Sequence, residues 1–238
     1  MKNLEQELLN KKEYELECEK LWVFLTLMMI SGFYGAFTYT IRGGVFSNAQ
    51  TANFVLFAIN LGSGKFFHGM YYLIPISAYF LGTIISEAIG GPIKKLNNIR
   101  WDTILILIEI VVVAFLGSLS EDAPYQISQI LISFICSMQY NTFQKTRKVP
   151  VATTFCTNHI RQAGKSFVNF LKEPENEDMK NKLIIHLEMM GVFVLGCIIS
   201  TILCHIFLGK AILFTLIPLI IILVRLIKSD IKKGLLQI

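Results

Sequence analysis

Charged residues are scarce in this chain of 238 residues. Asp, Glu, Lys and Arg together make up 16% of it, whereas a soluble domain carries about 25%. The charges are also segregated, so that three long segments contain none: Leu21 to Ile41, Phe66 to Ser86 and Met189 to Gly209. Each of these segments is long enough to cross a bilayer core as a helix. The composition therefore excludes an ordinary soluble domain and predicts an integral membrane protein.

The sequence also lacks the common motifs of catalysis and metal binding. It contains no Walker loop, no GxSxG nucleophile elbow and no pair of CxxC motifs. The five cysteines are interpreted as free thiols, because they lack CxxC spacing and three of them lie in apolar segments. We therefore expect no cofactor and no metal. We also expect no nucleic acid, since the net charge of +5 is distributed as membrane topology requires. An enzyme embedded in the membrane is the least favoured function.

Hydropathy predicts an all-α, polytopic membrane protein with six transmembrane helices. The predicted spans are Leu21–Ile41, Phe66–Ile89, Trp101–Leu119, Ala123–Phe143, Leu183–Phe207 and Ala211–Ile227. The fourth span is unusually polar, so we expect one of its faces to pack on protein or to line a wet cavity: Gln126, Ser128, Gln129, Ser133 and Ser137. A polar helix over residues 1–20 precedes the spans, and a basic tail over residues 228–238 follows them.

Basic residues predict the orientation of the chain. With the N-terminus inside, 19 of the 22 Lys and Arg residues lie on the inner side. The outer side then holds only Arg42, Lys65 and Lys210. Inner loops of membrane proteins carry such an excess of positive charge. We therefore expect a multi-pass protein of the cell (inner or plasma) membrane with both termini in the cytoplasm.

Two echoes within the sequence predict a repeat. The segment Leu81–Ser86 returns as Leu195–Ser200 with five of six residues identical, at an offset of 114. A weaker echo relates Thr51–Val55 to Thr157–Arg161 at an offset of 106. With three spans in each half, related halves must enter the membrane in opposite directions. The sequence thus predicts two inverted repeats, residues 21–119 and 123–227, a framework that is common among small-molecule transporters.

The first predicted half contains an apolar segment that is too short to cross the membrane, and the second half has a segment at the equivalent place. The first, Thr51–Leu61, has about eleven residues, and a helix rises about 1.5 Å per residue. Val151–Phe170 occupies the equivalent place in the second half. We interpret both as re-entrant or interfacial half-helices, and an ordinary loop with a surface helix is the alternative.

Polar residues on these half-helices are the candidate substrate-binding residues: Thr51, Asn53, Thr157, Asn158 and His159. A half-helix that ends within the membrane offers unpaired backbone groups and a partial charge, beside which short polar side chains can coordinate a small solute. The alternative is that polar residues here only cap helices. We expect the two half-helices to approach each other near the midplane and to bind a small polar or anionic solute.

Glu109 is the most costly residue of the predicted spans. It lies near the centre of the third span, where an unpaired carboxylate costs a few kcal/mol. It could carry a coupling proton, make a structural hydrogen bond to another helix or contact a second copy in an oligomer. The matching place in the second half has no carboxylate.

Two further segments carry a family resemblance. The first signature is Gly43-Gly44-Val45-Phe46 followed by Gln50-Thr51-Ala52-Asn53, and the second is Met138-Gln139-Tyr140-Asn141 followed by Pro150–Thr157. Together they resemble the YoaK-like family of bacterial membrane proteins, whose domain has no known function. That family tends to have Thr-Gly-Asn in both signatures, whereas this chain has Thr-Ala-Asn at 51–53 and Thr-Asn-His at 157–159. The resemblance implies a multi-pass bacterial membrane protein and no established activity.

Three classes of function remain open from the sequence. The leading prediction is a secondary transporter or permease for an unknown small solute, with a polar site between the repeats. The alternative is a scaffold or sensor in the membrane, which could act as a homo-oligomer. Transport predicts that polar residues of both halves converge, whereas a scaffold predicts a dry, tightly packed bundle.

Overall fold

A computed structural model describes residues 16–96 and 100–232 of the chain, with the backbone alone over 91–96. The described helices are α1 (Leu21–Ile41), α2 (Thr51–Gly62), α3 (Phe66–Tyr71), α4 (Leu73–Leu96), α5 (Trp101–Ser118), α6 (Tyr125–Thr142), α7 (Thr157–Lys172), α8 (Glu177–Phe207) and α9 (Leu216–Lys232). A two-stranded hairpin, β1 (Lys145–Thr146) with β2 (Val149–Pro150), precedes α7, and 3-10 helices cover Glu17–Glu19 and Leu208–Thr215.

The described helices include four segments that are long and apolar enough to cross a membrane. They are Leu21–Ile41, Phe66–Gly90, Trp101–Ser118 and a run of 56 residues, Glu177–Lys232, which contains both α8 and α9. The fold is therefore that of a helical membrane protein, as predicted. The six predicted spans are not all distinguished by length and composition, because α6 carries many polar residues.

Several element boundaries differ from the sequence-based prediction. The second predicted span is interrupted by a turn at Tyr72, between α3 and α4. The fifth begins earlier than predicted, at Glu177, because the Asn176 side chain caps the helix by accepting a hydrogen bond from the Met179 amide. The sixth predicted span begins as a 3-10 helix rather than an α-helix. Most of the helix predicted over 1–20 lies outside the described residues, as does the end of the predicted tail over 228–238.

Two helix pairs carry much of the packing, and each is closest at a glycine. Helix α1 packs along α8, and α4 packs along α6. A Cβ on Gly196 of α8 would collide with the Met29 carbonyl of α1, and a Cβ on Gly82 of α4 would collide with Ser137 and with the Phe134 carbonyl of α6. Small residues allow such close backbone approach, which is how helices associate where lipid removes the hydrophobic driving force.

The polar face predicted for α6 is buried against protein. Ser128, Gln129, Ser133 and Ser137 are each at most 2% exposed. The prediction that these side chains avoid lipid is therefore confirmed. Their burial brings a row of hydroxyl and amide groups into the interior of the bundle.

A charged cluster connects the segment before α1 with the ends of two helices. The Arg100 guanidinium lies 3.0 Å from Asp102 and 3.8 Å from Asp230, and it donates to the Cys18 thiol at 3.1 Å. Thr103 donates to Asp230 at 2.7 Å. These contacts join the segment before α1 to the start of α5 and the end of α9, and they hold these three segments together.

Candidate functional site

Two loops enter the helix bundle with closely similar backbones. The first loop (43–50) follows α1, and the second loop (147–156) follows α6. Each starts with two consecutive residues of positive φ, Gly43 and Gly44 in the first and Arg147 and Lys148 in the second. The helices that follow begin at Thr51 and Thr157, the two positions related by the offset of 106. The preceding residues have nearly equal angles, φ −87° and ψ −16° at Gln50 against φ −90° and ψ −23° at Cys156.

Each loop is anchored by a side chain from the third position of the following helix. In the first loop, Asn53 donates to the Phe46 carbonyl at 2.9 Å and accepts from the Phe46 amide at 3.1 Å. In the second, Nε2 of His159 donates to the Ala152 carbonyl at 2.7 Å. Both bonds reach back seven residues, and Asn53 and His159 are both fully buried. The two side chains therefore occupy equivalent places and hold the shape of their own loops.

The tips of the loops meet each other inside the bundle. The side-chain amide of Asn48, in the first loop, donates to the Thr154 carbonyl of the second at 3.1 Å and to the Ser31 carbonyl of α1 at 3.2 Å. The Ser31 hydroxyl also donates to the Thr154 carbonyl, at 3.4 Å. We call this contact the loop crossing. It joins two segments that are 106 residues apart in the chain.

Several buried oxygen atoms around the loop crossing have no hydrogen-bond partner among the described residues. Gln139 of α6 donates to the Thr153 carbonyl at 3.2 Å, which leaves its own Oε1 free. Oδ1 of Asn48 and the Thr153 hydroxyl are free as well. The Thr154 hydroxyl has the hydroxyl of Tyr79 as its neighbour. Because unsatisfied buried polar groups are costly, such a group of free oxygens needs a reason beyond stability.

A cavity of about 300 Å³ lies beside the second loop. Its lining is mixed polar and apolar: Tyr140, Asn141, Gln144, Pro150, Val151, Ala152 and Asn158. Ala152 directly precedes Thr153, so the cavity reaches the backbone next to the loop crossing. The second loop therefore borders a cavity of mixed polarity on one side.

His159 also pairs with a second histidine, His186 of α8. Their Nδ1 atoms are 2.9 Å apart, and both rings are buried. Since the Ala152 carbonyl can only accept, Nε2 of His159 carries the proton in the neutral ring, and His186 donates from its Nδ1. Burial lowers the pKa of His159, and the hydrogen bond to Ala152 offsets part of that shift. The neutral pair therefore links the second loop to α8.

Glu109 is fully buried, and neither carboxyl oxygen has a hydrogen-bond partner among the described residues. It interacts electrostatically with Tyr34 of α1 and Cys136 of α6. The Cys136 thiol in turn interacts with the Ser31 side chain, which belongs to the loop crossing. One buried carboxyl group thus lies one intervening side chain away from that crossing.

The predicted site residues fall around the loop crossing rather than in it. Thr51 and Thr157 are exposed at the helix starts, and Asn53 and His159 anchor their own loops. Asn158 lines the cavity and accepts from Arg161 at 3.2 Å. Capping does not explain these positions, because no side chain makes a cap hydrogen bond at the start of α2 or α7.

The residues that do meet are Asn48, Thr153 and Thr154, with Ser31 and Gln139 beside them. A signal for them was present in the sequence. The offset of 106 relates Ser47-Asn48 to Thr153-Thr154, two polar pairs just before the half-helices.

One protein family matches this chain. The profile of a family described as "Protein of unknown function (DUF1275)" matches residues 23–225. The chain belongs to the DUF1275 family. The match covers every element from α1 to most of α9, and therefore both loops, the loop crossing and Glu109. Comparison with curated proteins and comparison with solved structures each gave no match.

Among the described residues, no group of three or more His, Cys, Asp or Glu side chains is arranged to hold a metal ion. Apart from Arg42, Asp102 and Asp230, the buried polar side chains of the described residues are amides, hydroxyls, the Glu109 carboxyl group and the histidine pair.

Proposed function

We propose that this DUF1275 protein is a small-solute secondary transporter or permease whose binding site is the loop crossing. The observation that carries the proposal is the meeting of two polar loops, one from each half of the chain, inside a bundle of apolar helices. The free oxygens there and the adjacent cavity support it further. Broken helices that meet within the bundle are the usual site architecture of such transporters. In this proposal the chain has no enzymatic activity.

We further propose that the halves are inverted repeats with six spans. Three kinds of correspondence support this: the equal helix starts, the equal anchors of the two loops and the two close crossings at Gly82 and Gly196. Phe134, which Gly82 contacts, lies within one residue of the 106 offset from Met29, which Gly196 contacts. A two-fold axis would also exchange the pair α1–α8 with the pair α6–α4, the two pairs that dominate the packing. The resemblance to the YoaK-like family supports a bacterial, multi-pass protein.

The proposed topology has an orientation that cysteine labelling can test. With both termini in the cytoplasm of the cell, Ser120 lies outside and Lys148 inside. Single cysteines at these positions, in a background without other cysteines, should react differently with an impermeant maleimide applied from outside. We expect labelling of Ser120→Cys only, and equal labelling of both positions would contradict the topology.

Transport can be tested with a panel of solutes that differ in charge and size. The full chain is reconstituted in liposomes, and the shrinking and swelling of the vesicles are followed by stopped-flow light scattering. The panel comprises KCl, NH4Cl, sodium acetate, urea and glycerol. At least one solute should enter faster than in protein-free vesicles, and Asn48→Ala should remove that flux. Asn60→Ala is the matched control, because the Asn60 amide bonds only to its own helix at Leu56. No flux for any solute would contradict transport.

A membrane scaffold is the second candidate, and one observation favours it. Asn53 and His159, which the sequence places at a binding site, both have structural hydrogen bonds. The exposed apolar face of α2 and α3, with Phe54, Ile59 and Phe67, could then contact lipid or a second copy. A scaffold would show no flux in the same assay.

A further inference from the structure

The orientation of the amides at the loop crossing determines which ligands it can take. The Asn48 nitrogen donates to two carbonyls, and the Gln139 nitrogen donates to a third. A carbonyl accepts and cannot donate, so each amide must turn its nitrogen to the backbone and its oxygen away. The free amide groups are therefore acceptors, Oδ1 of Asn48 and Oε1 of Gln139. The Thr153 hydroxyl adds a third oxygen.

One buried carboxyl group, that of Glu109, lies in the same helix bundle as these oxygens. Glu109 is linked to the crossing through Cys136 and Ser31, and no salt bridge among the described residues pairs its carboxyl group. The starts of α2 and α7 carry partial positive charge, but that effect falls off within the first helical turn. The crossing lies about three residues before each start, at 48 and at 153–154. Oxygen atoms and an unpaired carboxyl group form an environment for positive charge.

We propose that the loop crossing binds a small monovalent cation, either an alkali-metal ion or an ammonium-type ion, and that it does not bind anions. This inference rests on the proposed function, since it names the class of solute or coupling ion at the same site. Neutral oxygen ligands suit weakly charged, hard cations, and the same oxygens accept N–H bonds from ammonium. An alkali-metal ion and an ammonium-type ion would bind to the same oxygen atoms. Separate titrations with Na⁺, K⁺ or Rb⁺ and with NH4⁺ therefore distinguish them.

The test measures binding and does not depend on transport. The purified full chain is melted in detergent with its chloride concentration held constant, while choline is replaced stepwise by Na⁺, K⁺, Rb⁺ or NH4⁺. We expect a saturable rise of the melting temperature by a few degrees with at least one of these cations, because a ligand of the folded state stabilises it. In the second arm choline is held constant and chloride is replaced by acetate, nitrate or sulfate. A saturable rise there, or none in the first arm, would overturn the inference.

Two isosteric variants locate the site. Thr153→Val removes a free hydroxyl, and Glu109→Gln removes the ionisable group with little change of shape. Each should weaken the apparent cation affinity at least fivefold. Thr26→Val is the matched control, because the Thr26 hydroxyl donates to the Trp22 carbonyl of its own helix, and it should leave the affinity unchanged. If Thr153→Val and Glu109→Gln both bind cations as the wild type does, the cation does not sit at the loop crossing.

Failure of the inference and failure of the transport proposal give different results. Saturable cation binding without flux in liposomes would refute transport and leave the cation site standing. Flux of acetate, urea or glycerol without a cation-dependent shift would refute the cation site and leave transport standing. A loss of both would refute both.

Discussion

The two loops share backbone features, but side chains of different chemistry anchor them. The first loop is anchored by the amide of Asn53, which does not titrate, whereas the second is anchored by His159, which pairs with His186. The helices after them also differ. Helix α2 exposes apolar residues such as Phe54 and Ile59, while α7 is amphipathic and packs along α8. The comparison suggests one framework used twice, with only the second copy responsive to pH.

The surroundings of the two loops also differ. Before the first loop, the buried Arg42 lies 3.6 Å from Glu121, and its carbonyl accepts from Gln129 at 2.7 Å. The second loop instead borders the cavity of about 300 Å³. The first loop is therefore closed in by charged and polar contacts, and the second has space on one side. The second loop therefore has more space to move than the first.

The largest expected effect concerns the two close crossings, which should be equally intolerant of a side chain. Gly196→Ala and Gly82→Ala should each destabilise the protein by about 3 kcal/mol, because a Cβ would meet backbone atoms of the neighbouring helix. Gly191→Ala is the matched control in α8, since a Cβ there meets nothing within 4 Å. Thermal melting in detergent measures all three. A tolerated alanine at one crossing and not at the other would break the equivalence of the halves.

A smaller effect is expected from removing the anchor of the first loop. Asn53→Ala leaves the half-buried Phe46 carbonyl and amide without their side-chain partner, which costs about 2 kcal/mol. Asn60→Ala should cost less, because Asn60 is partly exposed and bonds within its own helix. The melting temperatures of the two variants give the difference. If they melt together, the Asn53 bonds do not hold the loop.

The pH response should differ between the two loops, because only the second is anchored by a titratable side chain. Burial lowers the pKa of His159, so the folded protein favours the neutral ring. Its stabilising contribution is fully present above the unfolded pKa of about 6.5 and is lost as the pH falls through the lower folded pKa. The protection factors of the amides at 152–156 against hydrogen exchange should therefore fall on acidification, and those of the amides at 46–50 should not.

The matched variant for this response is His159→Asn, which gives the second loop the anchor of the first. It should remove the acid-dependent exchange at 152–156 while keeping a bond to the Ala152 carbonyl. An unchanged pH profile in this variant would assign the response to another group, with His186 the first candidate because it is in direct contact.

The smallest effect on stability is expected at the loop crossing itself. Thr153→Val removes a hydroxyl that has no partner among the described residues. Its removal should change stability by less than about 1 kcal/mol and could stabilise the protein, because no hydrogen bond is lost. A large loss in melting temperature would show that the hydroxyl has a structural role after all.

The sequence by itself determined the class of the protein and marked the positions of two helix starts and two close helix crossings. Scarce, segregated charge indicates membrane helices, and the echoes at offsets 114 and 106 marked Gly82 with Gly196 and Thr51 with Thr157. These features are local, since a helix start or a close crossing depends on residue types within one segment. The polar face of α6 could also be predicted, because its polar residues lie within one continuous segment.

Only the tertiary structure decided which polar residues meet. Asn48 reaches Thr154 across 106 residues, and His159 reaches His186 across 27. The predicted residues Thr51 and Thr157 lie outside the crossing because the residues that meet, Asn48 and Thr154, come three positions earlier in the chain. A Cβ on Gly35 of α1 would collide with Asn48 there. The crossing angle and the separation of packed helices set such contacts, and these depend on the fit of whole helix faces rather than on any single segment.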